Sequence, residues 1–266
     1  MSYIESIILG IIQGLTEFLP VSSSGHLVIG EHLLNLSLDS LSFEIFVHFG
    51  TLLSVLFIYY TDIIEIIKSI FKGVGKPIQT YQNDSYFRLG IFVIVGTIPA
   101  ALAGLLFKDF FEKIFHNINL VGISLIFTGV ILGLTYFVNR HNQKLSIFKS
   151  IVIGAAQMLA IIPGISRSGM TISTGLYLKI QRKKAAKFSF LLATPAIFGS
   201  MLITIIDIIG QSQTLLPLGI LLTGLISSFI VGIIAIKFLL KLLEQGRFKW
   251  FAPYCIGLGL IVILFL

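Results

Sequence analysis

Six stretches of this chain, 43–60, 89–107, 120–138, 188–206, 215–236 and 250–266, run for about 20 residues each with few charges. At about 1.5 Å of rise per residue, a helix of that length crosses a hydrocarbon layer roughly 30 Å thick. In lipid an open strand cannot satisfy its own backbone, so such runs read as helices. The fold class that follows is an all-α polytopic membrane protein. Composition agrees: 56% of residues are hydrophobic and only 12% are charged, where a soluble domain carries about a quarter.

The net charge of +7 is dispersed over short loops and gathers in no single patch, which excludes a nucleic-acid interface. The opening MSYIESIILG has no basic region and carries Glu5, so a signal peptide is not expected. Cys255 is the only cysteine, which excludes an intrachain disulfide and a thiolate metal cluster.

Two segments share a motif. GIIQGLTEFLPVSSSGH at 10–26 and GAAQMLAIIPGISRSGM at 154–170 each give Gly, two apolar residues, Gln, an apolar stretch, Pro and a serine-rich turn with Ser-Gly. The offset is 144 from Gly10 to Gly154 and from Gln13 to Gln157, 143 from Pro20 to Pro163, and 144 again from Ser24 to Ser168. This internal repeat divides one integral membrane domain, 1–266, into halves of about 1–140 and 145–266.

Loops rich in lysine and arginine stay in the cytoplasm. Loops 61–88, 139–149, 179–187 and 237–249 hold 16 of the 19 basic residues, whereas 108–119 holds two and 208–214 none. The six apolar runs obey that bias only if 150–178 enters and leaves from the cytoplasm. With the loop at 36–42 outside, 1–35 enters and leaves from the exterior. Each half is then a re-entrant helix hairpin followed by three transmembrane helices. Three is odd, so the halves have opposite orientations: an inverted-topology repeat, whose broken helices meet near the bilayer midplane. The alternative of eight full spans would bury Pro20, Pro163 and their serine-glycine turns at depth, where interrupted helix bonds strand polar backbone.

A half-helix that begins after SSSG or SRSG points free N–H groups and a positive dipole end inward, an arrangement that binds phosphate. Arg167 is the one basic residue with no place near a membrane face, and an arginine at depth needs an anion or a carboxylate. Its fork of donors suits phosphate; an internal ion pair with Glu17 would satisfy it too. Gln13 and Glu17, four apart, share a helical face. A carboxylate beside an amide oxygen is part of a coordination set for a hard divalent cation. Ser22, Ser23, Ser24 and His26 put a nucleophile and an acid or base within one turn of chain, helix capping being the plainer role for the serines. Glu44 and His48 share a face near the outer end of their span, where interfacial hydration accounts for them. Glu31, His32, His116 and His141 read as lying in or near loops. The run KIQRKKAAK, 179–187, reads as a topogenic loop that also attracts anionic headgroups.

QGLTEFLPVSSSGH (13–26) and PGISRSGMT (163–171), with GTIPA (96–100) and KKAAKFSFLLATPA (183–196), resemble the bacterial undecaprenyl-diphosphate phosphatases, or bacitracin-resistance proteins, over essentially the whole chain. The resemblance implies a multi-pass enzyme of the bacterial plasma membrane that cleaves the diphosphate of a C55 isoprenoid carrier to the monophosphate and inorganic phosphate. That would recycle the lipid for peptidoglycan assembly and confer bacitracin tolerance. It implies Gln13 and Glu17 as a metal-binding motif, Ser23 and His26 as the reactive serine and histidine, and Gly164, Ser166, Arg167, Ser168 and Thr171 in the phosphate motif after Pro163. Dependence on magnesium or calcium is implied as well. Gln13 stands where many members carry glutamate, so the site has one carboxylate fewer, and the cation is expected to arrive with the diphosphate.

The expectation is therefore a site in which Glu17, Ser23, His26 and Arg167 are catalytic, while Ser22, Ser24, Gly164, Ser166, Arg167, Ser168 and Thr171 bind substrate. Its partners are a polyprenyl diphosphate lipid and the bilayer, with no nucleic acid and a homodimer left open. Whether Ser23, His26 or water attacks phosphorus stays open. The first hairpin opens outward, which favours an active site on the external face. A lipid-phosphate transporter of the same architecture is the alternative; Glu17, Ser23 and His26 exceed what anion binding needs and favour chemistry.

Overall fold

The computed structural model describes residues 1–34, 41–115, 117–138, 142–211 and 216–266. In chain order the helices are α1 (Tyr3–Phe18), α2 (Ser23–Leu33), α3 (Leu41–Ile58), α4 (Tyr60–Gly73), α5 (Pro77–Asn83), α6 (Ser85–Leu106), α7 (Lys108–Phe115) and α8 (Ile118–Leu134). They continue with α9 (Ile147–Leu159), α10 (Arg167–Tyr177), α11 (Arg182–Gln211), α12 (Leu218–Glu244) and α13 (Phe251–Phe265). The six apolar runs fall on α3, α6, α8, α11, α12 and α13. Five of these, α8 and α13 counted with the 3₁₀ turns that adjoin them (Ile118–Phe137 and Phe248–Phe265), are long and apolar enough to cross a membrane, and α3 joins α4 through an 80° bend to make a sixth candidate.

Residues 61–88, expected as a loop, instead fold largely into α4, α5 and the start of α6. Ile63 and Ile66 pack on the central core while Ile64, Ile67 and Phe71 face outward, a helical period in a segment too short to read as a span. Lys187 Nζ donates to Asp62 Oδ1 at 2.6 Å and ties α4 to the second turn of α11. Of the loops expected at 36–42 and 208–214, residues 36–40 and 212–214 lie outside the described residues, as do His116 and His141; 41–42 begin α3 and 208–211 end α11.

The two broken segments are short. By helical rise, α1 is about 24 Å long, α2 and α10 about 17 Å, and α9 about 20 Å, each less than a bilayer core of roughly 30 Å. Each first helix packs along a long helix of the other half, α1 on α12 and α9 on α6. Small residues allow that approach, as they do between membrane helices generally. A Cβ on Gly10 would stand 2.0 Å from Ser227 Oγ, and one on Gly154 would stand 2.1 Å from the Gly96 carbonyl oxygen. Helices α8 and α13 pack along each other, α8 also touching α2 and α10, and the core gathers around Phe18, Phe188, Phe190 and Ile172.

Candidate functional site

Helix α1 ends at Phe18 because Leu19 is extended and Pro20 follows. The chain turns through Ser22, which takes φ 70° and caps α2 by accepting the Gly25 N–H at 3.3 Å. The second turn repeats the device: Gly164 at φ 88° supplies the left-handed residue, and Ser166 Oγ caps α10 by accepting the Gly169 N–H at 3.0 Å. Thr128, from α8, clasps this turn, donating to the Gly164 carbonyl and accepting the Ser166 N–H, both at 3.1 Å. The turns touch. Ser168 Oγ donates to the Leu19 carbonyl at 3.1 Å, and a Cβ on Gly25 would stand 3.2 Å from Gly164 Cα.

At the crossing sits the Glu17 carboxylate, 7% exposed. Arg167, the first residue of α10, pairs through Nη2 with Glu17 Oε1. Ser23 Oγ donates to Glu17 Oε2 at 2.5 Å and Gln13 Nε2 donates to the same oxygen at 2.9 Å. His48 Nε2 lies 3.9 Å from it. Of the two uses expected for Arg167, the ion pair is made through one nitrogen, and Nη1 keeps no partner among the described residues.

Beside Glu17 a cavity of about 800 Å³ opens, lined on this wall by Glu17, Ser22, Ser23, Ser24, Ser166 and Arg167. The volume falls in the range of roughly 300–1,000 Å³ usual for small-ligand sites. Apolar and small residues line much of the rest, among them Ala100, Ala101 and Gly104 of α6, and Ala196, Ile197 and Gly199 of α11.

Other expected residues stand behind this wall. Thr171 Oγ1 donates to the Arg167 carbonyl at 2.8 Å and meets Ser189 Oγ at 2.6 Å, buttressing the arginine from behind. His26 lies outside the cavity lining. Its Nδ1 is 2.8 Å from the Ser22 carbonyl oxygen, which can only accept, so Nδ1 carries the proton and Nε2 accepts from the Tyr254 hydroxyl at 2.7 Å. The two rings stack 5.8 Å apart.

The residues do not fit a resident divalent cation. Both oxygens of Glu17 are engaged by the chain's own donors, and Gln13 turns its amide nitrogen, not its oxygen, toward the carboxylate. No group of three or more His, Cys, Asp or Glu able to hold a metal occurs among the described residues.

Several participants escaped the sequence reading. Glu44 and His48, assigned to interfacial hydration, line the cavity; the signal was their shared helical face. Glu31, placed in or near a loop, is a buried residue of α2, as His32 is part of that helix's last turn. Gln157 lines the cavity too, and its signal was its place as the repeat mate of Gln13. Thr128 and Tyr254 had no local signal at all.

The description of bacitracin resistance protein BacA matches residues 6–261. Among curated relatives, an undecaprenyl-diphosphatase of Salinibacter ruber is 41% identical, spanning 98% of this chain and 99% of the relative. One of Alkaliphilus metalliredigens is 40% identical over 100% and 99% of the two chains, and one of Carboxydothermus hydrogenoformans 41% over 99% and 97%. With matches of this extent along its whole length, the chain belongs to the bacitracin resistance protein BacA family.

Proposed function

We propose that this protein hydrolyses undecaprenyl diphosphate to undecaprenyl phosphate and inorganic phosphate in the bacterial plasma membrane, recycling the carrier lipid for peptidoglycan synthesis and conferring bacitracin tolerance. The observation that carries the reading is the meeting of Ser23, Glu17 and Arg167 from two broken helices on one wall of the cavity.

The chemistry follows from these atoms. Arg167 Nη1 meets the phosphate oxygens while Nη2 stays on Glu17, and the N-termini of α2 and α10 add positive dipole ends. Ser23 Oγ attacks the terminal phosphorus and passes its proton to Glu17 Oε2, to which it is already hydrogen-bonded. The bond to the bridging oxygen breaks, and the lipid monophosphate leaves with the electron pair and the proton from Glu17. Glu17 then takes a proton from water attacking the phosphoserine and returns it to Ser23 Oγ as phosphate departs. His26, held on the Ser22 carbonyl, positions the turn; its distance from the cavity lining disfavours it as the nucleophile. A divalent cation, on this reading, comes with the diphosphate.

Helix lengths too short to span, and the exchange of α1 and α9 onto the opposite halves, support the re-entrant, inverted arrangement. Lys108 and Phe111 of α7, Glu44 of α3 and Thr204 of α11 line the cavity toward the ends that the basic-loop bias puts outside. That supports release on the external face. Transport alone would leave the Ser23–Glu17 hydrogen bond without a use.

The test is phosphate release from C55 diphosphate by purified protein, for wild type, Ser23→Ala and Arg167→Ala, with an acid quench during a single turnover. Release by wild type, an acid-stable adduct on Ser23, and loss of more than about a hundredfold in both variants are expected. A well-folded wild type that releases no phosphate sinks the reading.

A further inference from the structure

Gln13 and Gln157 occupy equivalent positions in the repeat, yet their surroundings differ. On α1 the amide of Gln13 is engaged by Glu17, four residues on. Carried through the offset of 144, that pair becomes Gln157, in the last turn of α9, and Ile161, just past its end. Isoleucine cannot accept a hydrogen bond, so the second glutamine loses its intrahelical partner.

Nothing else replaces it. Gln157 is 3% exposed, and neither Oε1 nor Nε2 has a hydrogen-bond partner among the described residues. A carboxamide carries two donors and two acceptor sites, and leaving it unpaired in the interior is destabilising. A leucine would occupy similar space without that penalty. Gln13 Oε1, Glu31 Oε1 and Ser173 Oγ are also buried without partners, but those residues do not line the cavity, whereas Gln157 does, with Ala160 and Ile161 just past the end of its helix. Arg167 Nη1 is the other unpartnered buried donor on a cavity-lining residue.

We infer that Gln157 is a substrate-contact residue whose Nε2 donates to the phosphate that remains with the lipid, while Ala160 and Ile161 meet the first isoprene unit. The inference rests on the hydrolase reading above. Ser23 and Glu17 fix the attacked phosphorus at the first turn. The remaining phosphate is the one joined to an apolar tail, and Gln157 offers it a neutral donor next to apolar neighbours. A neutral amide also holds the anion without adding a positive charge that would retain the product monophosphate.

The experiment compares wild type, Gln157→Leu and Gln157→Glu in detergent, measuring kcat/KM for C55 diphosphate and the unfolding temperature of the substrate-free protein. Losing one donor to an ionised acceptor lowers kcat/KM about ten- to a hundredfold in Gln157→Leu. Gln157→Glu loses more, because its carboxylate repels the diphosphate. Unfolding temperature in Gln157→Leu stays level or rises, since an unpaired buried amide has been removed. A wild-type kcat/KM in Gln157→Leu overturns the inference, and so does a loss of activity accompanied by a fall in unfolding temperature, which marks a structural role. If wild type itself releases no phosphate, the hydrolase reading has failed. Binding of a prenyl methylenediphosphonate to wild type and Gln157→Leu then decides the contact alone: weaker binding by the variant sustains it and equal binding removes it.

Discussion

Removing the Arg167 guanidinium measures what the two broken helices contribute to each other. Arg167→Met keeps much of the aliphatic stem and leaves Glu17, 7% exposed, without its countercharge. Breaking a buried pair by deleting one partner costs about 3–5 kcal/mol. The hydrogen bonds from Ser23 and Gln13 still stabilise the carboxylate, so the loss is expected at the lower end, about 3 kcal/mol. Glu17→Gln strands the arginine instead and costs a similar amount. The double variant Glu17→Gln/Arg167→Met strands no charge. It should lose about 2 kcal/mol, where simple addition would give about 6. Unfolding free energies in mixed micelles titrated with a denaturing detergent, followed by circular dichroism, give the cycle directly. Additivity to within about 0.5 kcal/mol would refute the argument. It would assign the junction to the Ser168–Leu19 bond and the close approach of Gly25 to Gly164.

Thr128→Val keeps the shape of the side chain but leaves the Gly164 carbonyl and the Ser166 N–H unpaired, an expected loss of about 2–4 kcal/mol in the same unfolding assay. Gly154→Ala puts a methyl 2.1 Å from the Gly96 carbonyl oxygen and should destabilise by about 1–3 kcal/mol or more. Gly257→Ala, with open space around its Cβ, should leave stability level or raise it by up to about 1 kcal/mol. Tyr254→Phe frees His26 Nε2 and should lower phosphate release about three- to tenfold with KM unchanged, as steady-state kinetics will show. The electron-paramagnetic signal of free Mn²⁺ should be undiminished by the protein alone and fall only when a prenyl diphosphate is added; a loss with protein alone would mean that Gln13 and Glu17 do form a resident site.

The parts of this architecture that could be read in the sequence are those that local chemistry decides. Runs of about 20 apolar residues become spans because length and hydropathy suffice. Pro20 and Pro163 with their serine turns become breaks because proline and caps act within a few residues. The meeting of Glu17 and Arg167 was foreseeable because buried charges of opposite sign seek each other and the repeat put both at turns. His48 was not, since its approach to Glu17 depends on how α3 lies against α1 and α12, which packing decides. His26 follows Ser23 by three residues, yet its ring turns back to the Ser22 carbonyl and out to Tyr254, 228 residues away. Residues 61–88 carry a helical period, but their basic residues and their place between two spans mark them in the sequence as a loop.

The exchange of helices between the halves sets an order of completion during synthesis. Ser6 bonds to the Ile220 carbonyl, 214 residues later, and Pro20 receives the Cys255 thiol, 235 residues later. Helix α1 therefore stays without α12 until about 200 further residues have been made, roughly 10–40 s at ordinary elongation rates. Through that interval α1 lacks the helix along which it packs in the finished fold. A helix made early is thus locked late, and a truncation that removes α12 and α13 takes from α1 its main packing surface.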